Sequence, residues 1–226
     1  MKLDFSFLPE YFPFFVDGAK MTLLISLITV VAGSLLGSLL FFMKSSNLHI
    51  GKVKPFKIIA AMYIEIIRGT PMLLQIMIVY AGSDMLFGLK LEPLIAAVVA
   101  ISLNSAAYVS EIVRAGIEAV DRGQMEAARS LGMNKTQAMI LVVMPQAIRN
   151  ILPAIGNEFV TIIKESSMAS VIGVGELMYK AKIVTGATYI SLTPLITSAA
   201  FYFILTFSLG RFMNYIERRL KSGDIR

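Results

Sequence analysis

Cysteine is absent from this chain, and histidine occurs once, as His49 in a polar loop. Without thiols there is no disulfide framework and no thiolate metal site. With a single imidazole there is no H-E-x2-H zinc protease motif. A Ser–His pair built on His49 would hold its base in a loop remote from the apolar segments, so His49 reads as a solvated loop residue. No G-x4-G-K-[ST] sequence occurs, since Gly51 and Lys52 are followed by valine and lack the upstream glycine. The chain therefore reads as one that cannot hydrolyse ATP alone and is not itself an enzyme. Charge is also scarce: 16% of the residues, against about 25% in a typical soluble domain.

What the sequence has in quantity is apolar side chains, 56% of 226 residues, in long runs of the kind that lipid-facing helices require. The first run, 21–43, lies between Lys20 and Lys44. At about 1.5 Å per residue it spans a hydrocarbon core of about 30 Å with some tilt. It is too long for the apolar part of a signal peptide. Its leader carries Asp4, Glu10 and Asp17 instead of basic residues, so the run is expected to be a retained anchor. The next run, 56–88, is interrupted by Glu65, Arg68, Gly69, Thr70 and Pro71. The third, 93–117, contains Asn104, Glu111 and Arg114. The fourth, 151–177, carries Asn157, Glu158, Lys164 and Glu165, with a break expected around Ser166 and Ser167. The fifth, 187–211, lies in a stretch whose 183–210 portion holds no charge, and Pro194 suits its first turn. The expectation is an all-α membrane protein: five transmembrane helices in a single domain, 1–226, with a polar loop at 118–150.

Lysine and arginine orient these spans. The first loop holds Lys44, Lys52, Lys54 and Lys57 with no acid; the long loop holds Arg122, Arg129, Lys135 and Arg149; the tail holds Arg211, Arg218, Arg219, Lys221 and Arg226. Five spans put all three groups on one side. The positive-inside rule makes that side the cytoplasm and the N-terminus external. The net charge of +6 then belongs to loops beside anionic lipid and not to a nucleic-acid site. The Phe- and Tyr-rich segment 5–15 is expected along the outer interface.

The polar loop is too long for a simple connector. Residues 124–130 are good helix formers. Gly132 can supply a positive-φ stop, and residues 134–136 offer a cap for a second helix starting near Lys135. The result is a short helix, a sharp turn and another helix, held off the membrane. Glu126, Ala127, Ala128 and Gly132 spell E-A-A-x3-G, and nine residues on come Val142, Val143, Met144 and Pro145. This resembles the E-A-A-x3-G-x9-I-x-L-P signature of permease subunits of bacterial ABC importers, with valine for isoleucine and methionine for leucine. Residues 63–71, then Asn104 to Tyr108 with Glu111 and Arg114, then Asn157 to Phe159, resemble the polar amino-acid uptake branch, the histidine-, glutamine- and arginine-type permeases. The resemblance covers roughly residue 21 to the C-terminus.

The resemblance implies a type I ABC importer permease fold in the bacterial inner membrane, with a cytoplasmic coupling helix. Glu126, Ala127, Ala128, Arg129 and Gly132 would engage the ATPase. It implies two ATPase subunits that bind ATP and Mg, a second permease copy or paralogue (a homodimer favoured), and an external amino-acid-binding protein. The alternative for this loop is an amphipathic helix lying on lipid. The alternative for the whole chain is a self-sufficient secondary transporter, a class in which internal repeats are common; no repeat relates the two halves here.

Ionisable groups inside hydrocarbon usually face a cavity or a partner. Asn104, Tyr108 and Glu111 share one helical face by spacing, as do Asn157, Thr161 and Lys164; Glu158 and Glu165 form an adjacent stripe. With Ser167 these are the candidate substrate path for a zwitterion. Simple i,i+3 pairing of Glu111 with Arg114 and of Glu65 with Arg68 is the competing account. Gly69, Thr70 and Pro71 read either as a gating kink that opens a cavity or as a plain distortion. Gly33 and Gly37 read as helix packing. The balance of acids and bases leans weakly to a basic amino acid, with glutamine next.

Overall fold

The computed structural model describes residues 3–46, 49 and 53–221. Lys52 and Arg226, counted above among the orienting charges, lie outside them, as does Gly51. The elements are α1 (Leu8–Ser45), α2 (Pro55–Arg68), α3 (Met72–Phe87), α4 (Pro93–Glu118), α5 (Arg122–Ser130), α6 (Lys135–Ala138), a π turn (Met139–Val143), α7 (Met144–Glu165), a 3₁₀ segment (Ser166–Ile172), α8 (Leu177–Thr188) and α9 (Thr193–Lys221). Four stretches are long and apolar enough to cross a membrane: Leu8–Ser45, Pro93–Glu118, Lys135–Ile172 and Thr193–Leu220. The bent pair α2–α3 makes a fifth when taken as one span.

Helix α4 is the hub, packed against α1, α2, α3 and α7. Its contact with α1 is close because two glycines allow it. A Cβ on Gly33 would lie 2.6 Å from Ser105 Oγ, and one on Gly37 would lie 2.7 Å from both Ala106 O and Val109 Cβ. Ile25, Ile76, Ile101 and Ile162, all fully buried, form the centre of the core between α1, α3, α4 and α7.

Several boundaries differ from the expectation, each for a physical reason. The first helix does not begin near residue 21. It runs unbroken from Leu8, and two rings of the segment 5–15 turn inward while Phe5, Phe12 and Phe14 stay exposed. Phe7 and Phe15 are buried against Leu177, Ala181 and Val184, and Phe15 stacks on Phe201 with ring centroids 5.9 Å apart. Packing these two rings against α8 and α9 buries large apolar side chains. The stretch 56–88 is two helices meeting at a 110° bend. Both helices expected in the loop 118–150 are present, but the second is continuous with the fourth long helix, which therefore begins at Lys135 instead of near 151. It passes Pro145 by means of the π turn. Proline has no N–H for the carbonyl one turn back, and a wider turn just before it relieves the resulting clash. Between the expected fourth and fifth runs, α8 is a separate short helix, and α9 starts at Thr193.

The charged ends segregate. Lys44, Lys57, Arg114 and Glu118 surround one depression, and Ala119, Asp121, Gln146, Arg149 and Leu220 surround another, so the ends of α1, α4 and α9 and the start of α2 lie at one pole. Leu3 and Asp4 meet residues 189–193 at the other pole.

Candidate functional site

The first candidate is the projection between α4 and the long helix that starts at Lys135. Asp121 caps α5, its carboxylate accepting from Gly123 N at 2.7 Å. Gly132 ends it at φ 90°, a conformation that favours glycine. Asn134 and Gln137 then form a reciprocal capping box, Asn134 N donating to Gln137 Oε1 at 3.0 Å and Gln137 N to Asn134 Oδ1 at 2.9 Å. Ala128 is buried, while Glu126, Ala127, Arg129 and Gly132 are exposed. Leu131, at the tip, is 83% exposed. On the inner side Met125 joins Val120, Met139 and Val143, which seats the helix firmly. The helix–turn–helix read from the sequence is present, and Leu131 adds an exposed apolar side chain that the motif did not single out.

The second candidate is the set of polar residues on the spans. The face of α4 that holds Asn104, Tyr108 and Glu111 is real, but each residue has its own partners. Asn104, 5% exposed, donates to Gln75 Oε1 at 2.9 Å. Tyr108, 38% exposed, lies beneath the Arg68 guanidinium, 5.3 Å from its ring centroid. Glu111 accepts from Lys44 Nζ at 2.7 Å and pairs with Arg114 at 2.9 Å; Arg114 also reaches Glu118 at 2.5 Å. The Glu111–Arg114 pair is therefore present, whereas Arg68 makes no ion pair with Glu65 among the described residues and stacks on Tyr108 instead. On α7, Asn157 and Lys164 are exposed and Glu158, Thr161 and Glu165 are half-buried, as is Ser167 of the following 3₁₀ segment. Thr161 donates to Asn157 O at 3.2 Å, and Ser167 to Lys164 O at 2.6 Å. Glu158 faces Ser105 of α4. Neither Glu158 nor Glu165 is in an ion pair among the described residues. The break at Gly69, Thr70 and Pro71 is exposed, and Met72 and Ile76 just beyond it share a core with Ile162 of α7. That core brings the break and the polar stripe of α7 into one neighbourhood; Glu111, two turns beyond Asn104 on α4, is engaged by Lys44 and Arg114 instead.

Three residues of this framework carried no signal in the sequence. Lys44 is 67 positions from Glu111. Gln75 reads as one more residue of an apolar run. Glu176 is 0% exposed. Its carboxylate accepts from Met178 N at 3.0 Å and Tyr179 N at 2.8 Å, which caps α8, and from the Tyr202 hydroxyl. No group of acids and histidine among the described residues could hold a metal ion.

Comparison with known proteins fits this arrangement. The family described as binding-protein-dependent transport system inner membrane component matches residues 45–222. The chain is 45% identical over 224 residues to the arginine transport system permease protein of Bacillus subtilis (strain 168), covering 99% of this chain and 100% of that protein. It is 35% identical over 222 residues to the glutamine transport system permease protein of Escherichia coli (strain K12), covering 98% and 99%. A solved amino acid ABC transporter, crystallised with histidines, superposes with a TM-score of 0.90 at 46% identity, covering 97% of this chain and 100% of that one. A methionine ABC transporter in an inward-facing conformation shares the fold, with a TM-score of 0.76 at 20% identity over 93% and 98%. A helical bundle with this outward projection, matched along almost its whole length by amino-acid permeases, belongs to the binding-protein-dependent inner membrane component family: the chain is a multi-pass inner-membrane permease subunit of an ABC amino-acid importer with the type I fold.

Proposed function

We propose that this subunit imports a polar amino acid, a basic one before glutamine, driven by ATP hydrolysis in a separate ATPase that grips α5. The observation that carries the reading is the projection itself. It is capped at both helix starts, stopped by a positive-φ glycine, and presents Glu126, Ala127, Arg129 and Leu131 outward. A rigid short helix with an apolar tip fits a groove on a protein partner and transmits its movement; a helix meant to lie on lipid presents a continuous apolar face instead.

The family implies an ATPase partner and a permease partner. In this proposal two ATPase subunits carry ATP and Mg, a second copy of this chain completes the path, and an external binding protein delivers the amino acid. The basic pole faces the cytoplasm, by the positive-inside rule, and the N-terminus is external. The path runs past Tyr108, the α7 stripe of Asn157, Glu158, Thr161 and Lys164, and Ser167 in the 3₁₀ segment beyond it. Glu111 lies at its inner mouth, and the break at Gly69, Thr70 and Pro71 opens it. Glu158 and Glu165, acids without an ion-pair partner, favour a cationic side chain. The names of the arginine- and glutamine-transport relatives point to the same two substrates.

Reconstitution in proteoliposomes tests the reading. Uptake of arginine is expected only when the ATPase, ATP and a binding protein are all supplied. Uptake by this chain alone, driven by an ion gradient, would establish a secondary transporter in its place.

A further inference from the structure

A helix broken in mid-span leaves backbone groups that hydrocarbon cannot satisfy. At the α2–α3 break one side chain takes up much of that deficit. Gln75, 8% exposed, sits in the first turn of α3 and reaches back across Pro71. Its Nε2 donates to Ile67 O at 2.7 Å, to Thr70 O at 3.1 Å and to Thr70 Oγ1 at 2.8 Å. The Thr70 hydroxyl donates onward to Ile66 O at 2.9 Å. On the other side, Asn104 Nδ2 donates to Gln75 Oε1 at 2.9 Å. The donors run in one direction, from α4 through Gln75 and Thr70 into the end of α2, and the members of such a chain polarise one another in apolar surroundings. Adjacent turns of α4 hold α2 as well. Tyr63 donates its hydroxyl to Leu103 O at 2.8 Å, and Arg68 covers Tyr108.

We propose that the Gln75–Asn104 amide pair sets the angle of the α2–α3 break and so keeps Arg68 over Tyr108, which makes Asn104 a positioning residue and not a contact of the transported amino acid. The Asn104 side chain is buried and directed at Gln75, whereas Tyr108, one turn on, is open. Of the break residues only Thr70 joins the chain through a side chain: Gly69 has none and Pro71 has no N–H. The inference rests on the transport reading above, because the angle matters to function only if the break borders the path.

The complete transporter, with its ATPase and binding protein, tests the clamp. The chain has no cysteine, so spin labels attached through Met62→Cys and Met77→Cys, on exposed positions of α2 and α3, report the angle by pulsed EPR. Gln75→Met keeps the length and removes the amide. Its label distances are expected to broaden, and maximal arginine uptake to fall about tenfold while KM moves less than about twofold. Exchanging the two amides, Gln75→Asn with Asn104→Gln, preserves their combined reach and is expected to restore a narrow distribution and most of the uptake. Thr70→Val removes one link and broadens the distances in the same direction; it judges the clamp if Gln75→Met fails to insert. Unchanged distances in Gln75→Met or Thr70→Val overturn the proposal. So does an Asn104→Leu variant whose KM rises about tenfold at unchanged distances, which would make Asn104 a substrate contact. If the parent transporter takes up neither arginine nor glutamine, the transport reading fails instead, and the label distances still decide the clamp.

Discussion

Individual residues here are governed by satisfaction and by space. Glu176 is buried with its carboxylate fully engaged by two backbone N–H groups and the Tyr202 hydroxyl. Glu176→Leu strands all three donors, at about 1–3 kcal/mol for each one left unsatisfied. A clear fall in the melting temperature of the purified subunit in detergent is expected; an unchanged midpoint would mean that water replaces the acid. Gly37 is limited by space. A side chain there meets the Ala106 carbonyl, which is part of the α4 backbone and cannot rotate away. Gly37→Val is expected to lose about 1–3 kcal/mol by overpacking, with the loss again read as a lowered melting midpoint. In the proposed path Glu158 serves transport and not stability. Glu158→Gln removes a charge that has no ion-pair partner, so arginine uptake should fall about tenfold relative to glutamine uptake while melting is unchanged. Equal effects on both substrates would remove Glu158 from the path.

At the scale of elements, the α5 projection was legible because its signals are local. The helix formers at 124–130, Gly132 and the cap at Asn134 act within a few positions of one another, and caps and positive-φ stops work at that range; the capping by Asp121 and Gln137 is seen only in the structure. Gly132→Val forces a β-branched residue into a left-handed conformation, a strain of about 1–3 kcal/mol. The outcome expected is ATP turnover that continues while amino-acid uptake per ATP drops, measured in the same proteoliposomes; wild-type stoichiometry would argue against the coupling role. The α2–α3 bend was legible only in part. Gly69 and Pro71 marked the place, but its 110° angle depends on Gln75 and Asn104, whose meeting spans 29 positions. The union of the helix expected near Lys135 with the fourth span was missed because Pro145, Arg149 and Asn150 separate the two in the sequence, whereas the apolar run 139–144 joins them once the π turn accommodates Pro145.

At the scale of the whole molecule, the described surface carries many large apolar side chains, among them Leu35, Leu39, Phe42, Ile58, Ile59, Phe203 and Ile204. A soluble monomer rarely exposes such area, so lipid and partner subunits must cover it. Photo-crosslinks from a probe at Leu131, in membranes containing the whole transporter, are expected to reach the ATPase. Crosslinks confined to phospholipid would return α5 to the role of an interfacial helix.

The sequence alone determined the class of the molecule. The length and spacing of the apolar runs, the placement of lysine and arginine, and the E-A-A-x3-G segment are properties of neighbouring residues, and neighbouring residues settle hydrophobic period, charge bias and helix capping. Only the tertiary structure decided what the buried polar groups do. Asn104, Tyr108 and Glu111 share a face by spacing, yet Gln75, Arg68 and Lys44, drawn from three other helices, give them three different environments. In an apolar interior a polar group takes whichever partner folding brings within about 3 Å, and distance along the chain does not reveal which partner that is.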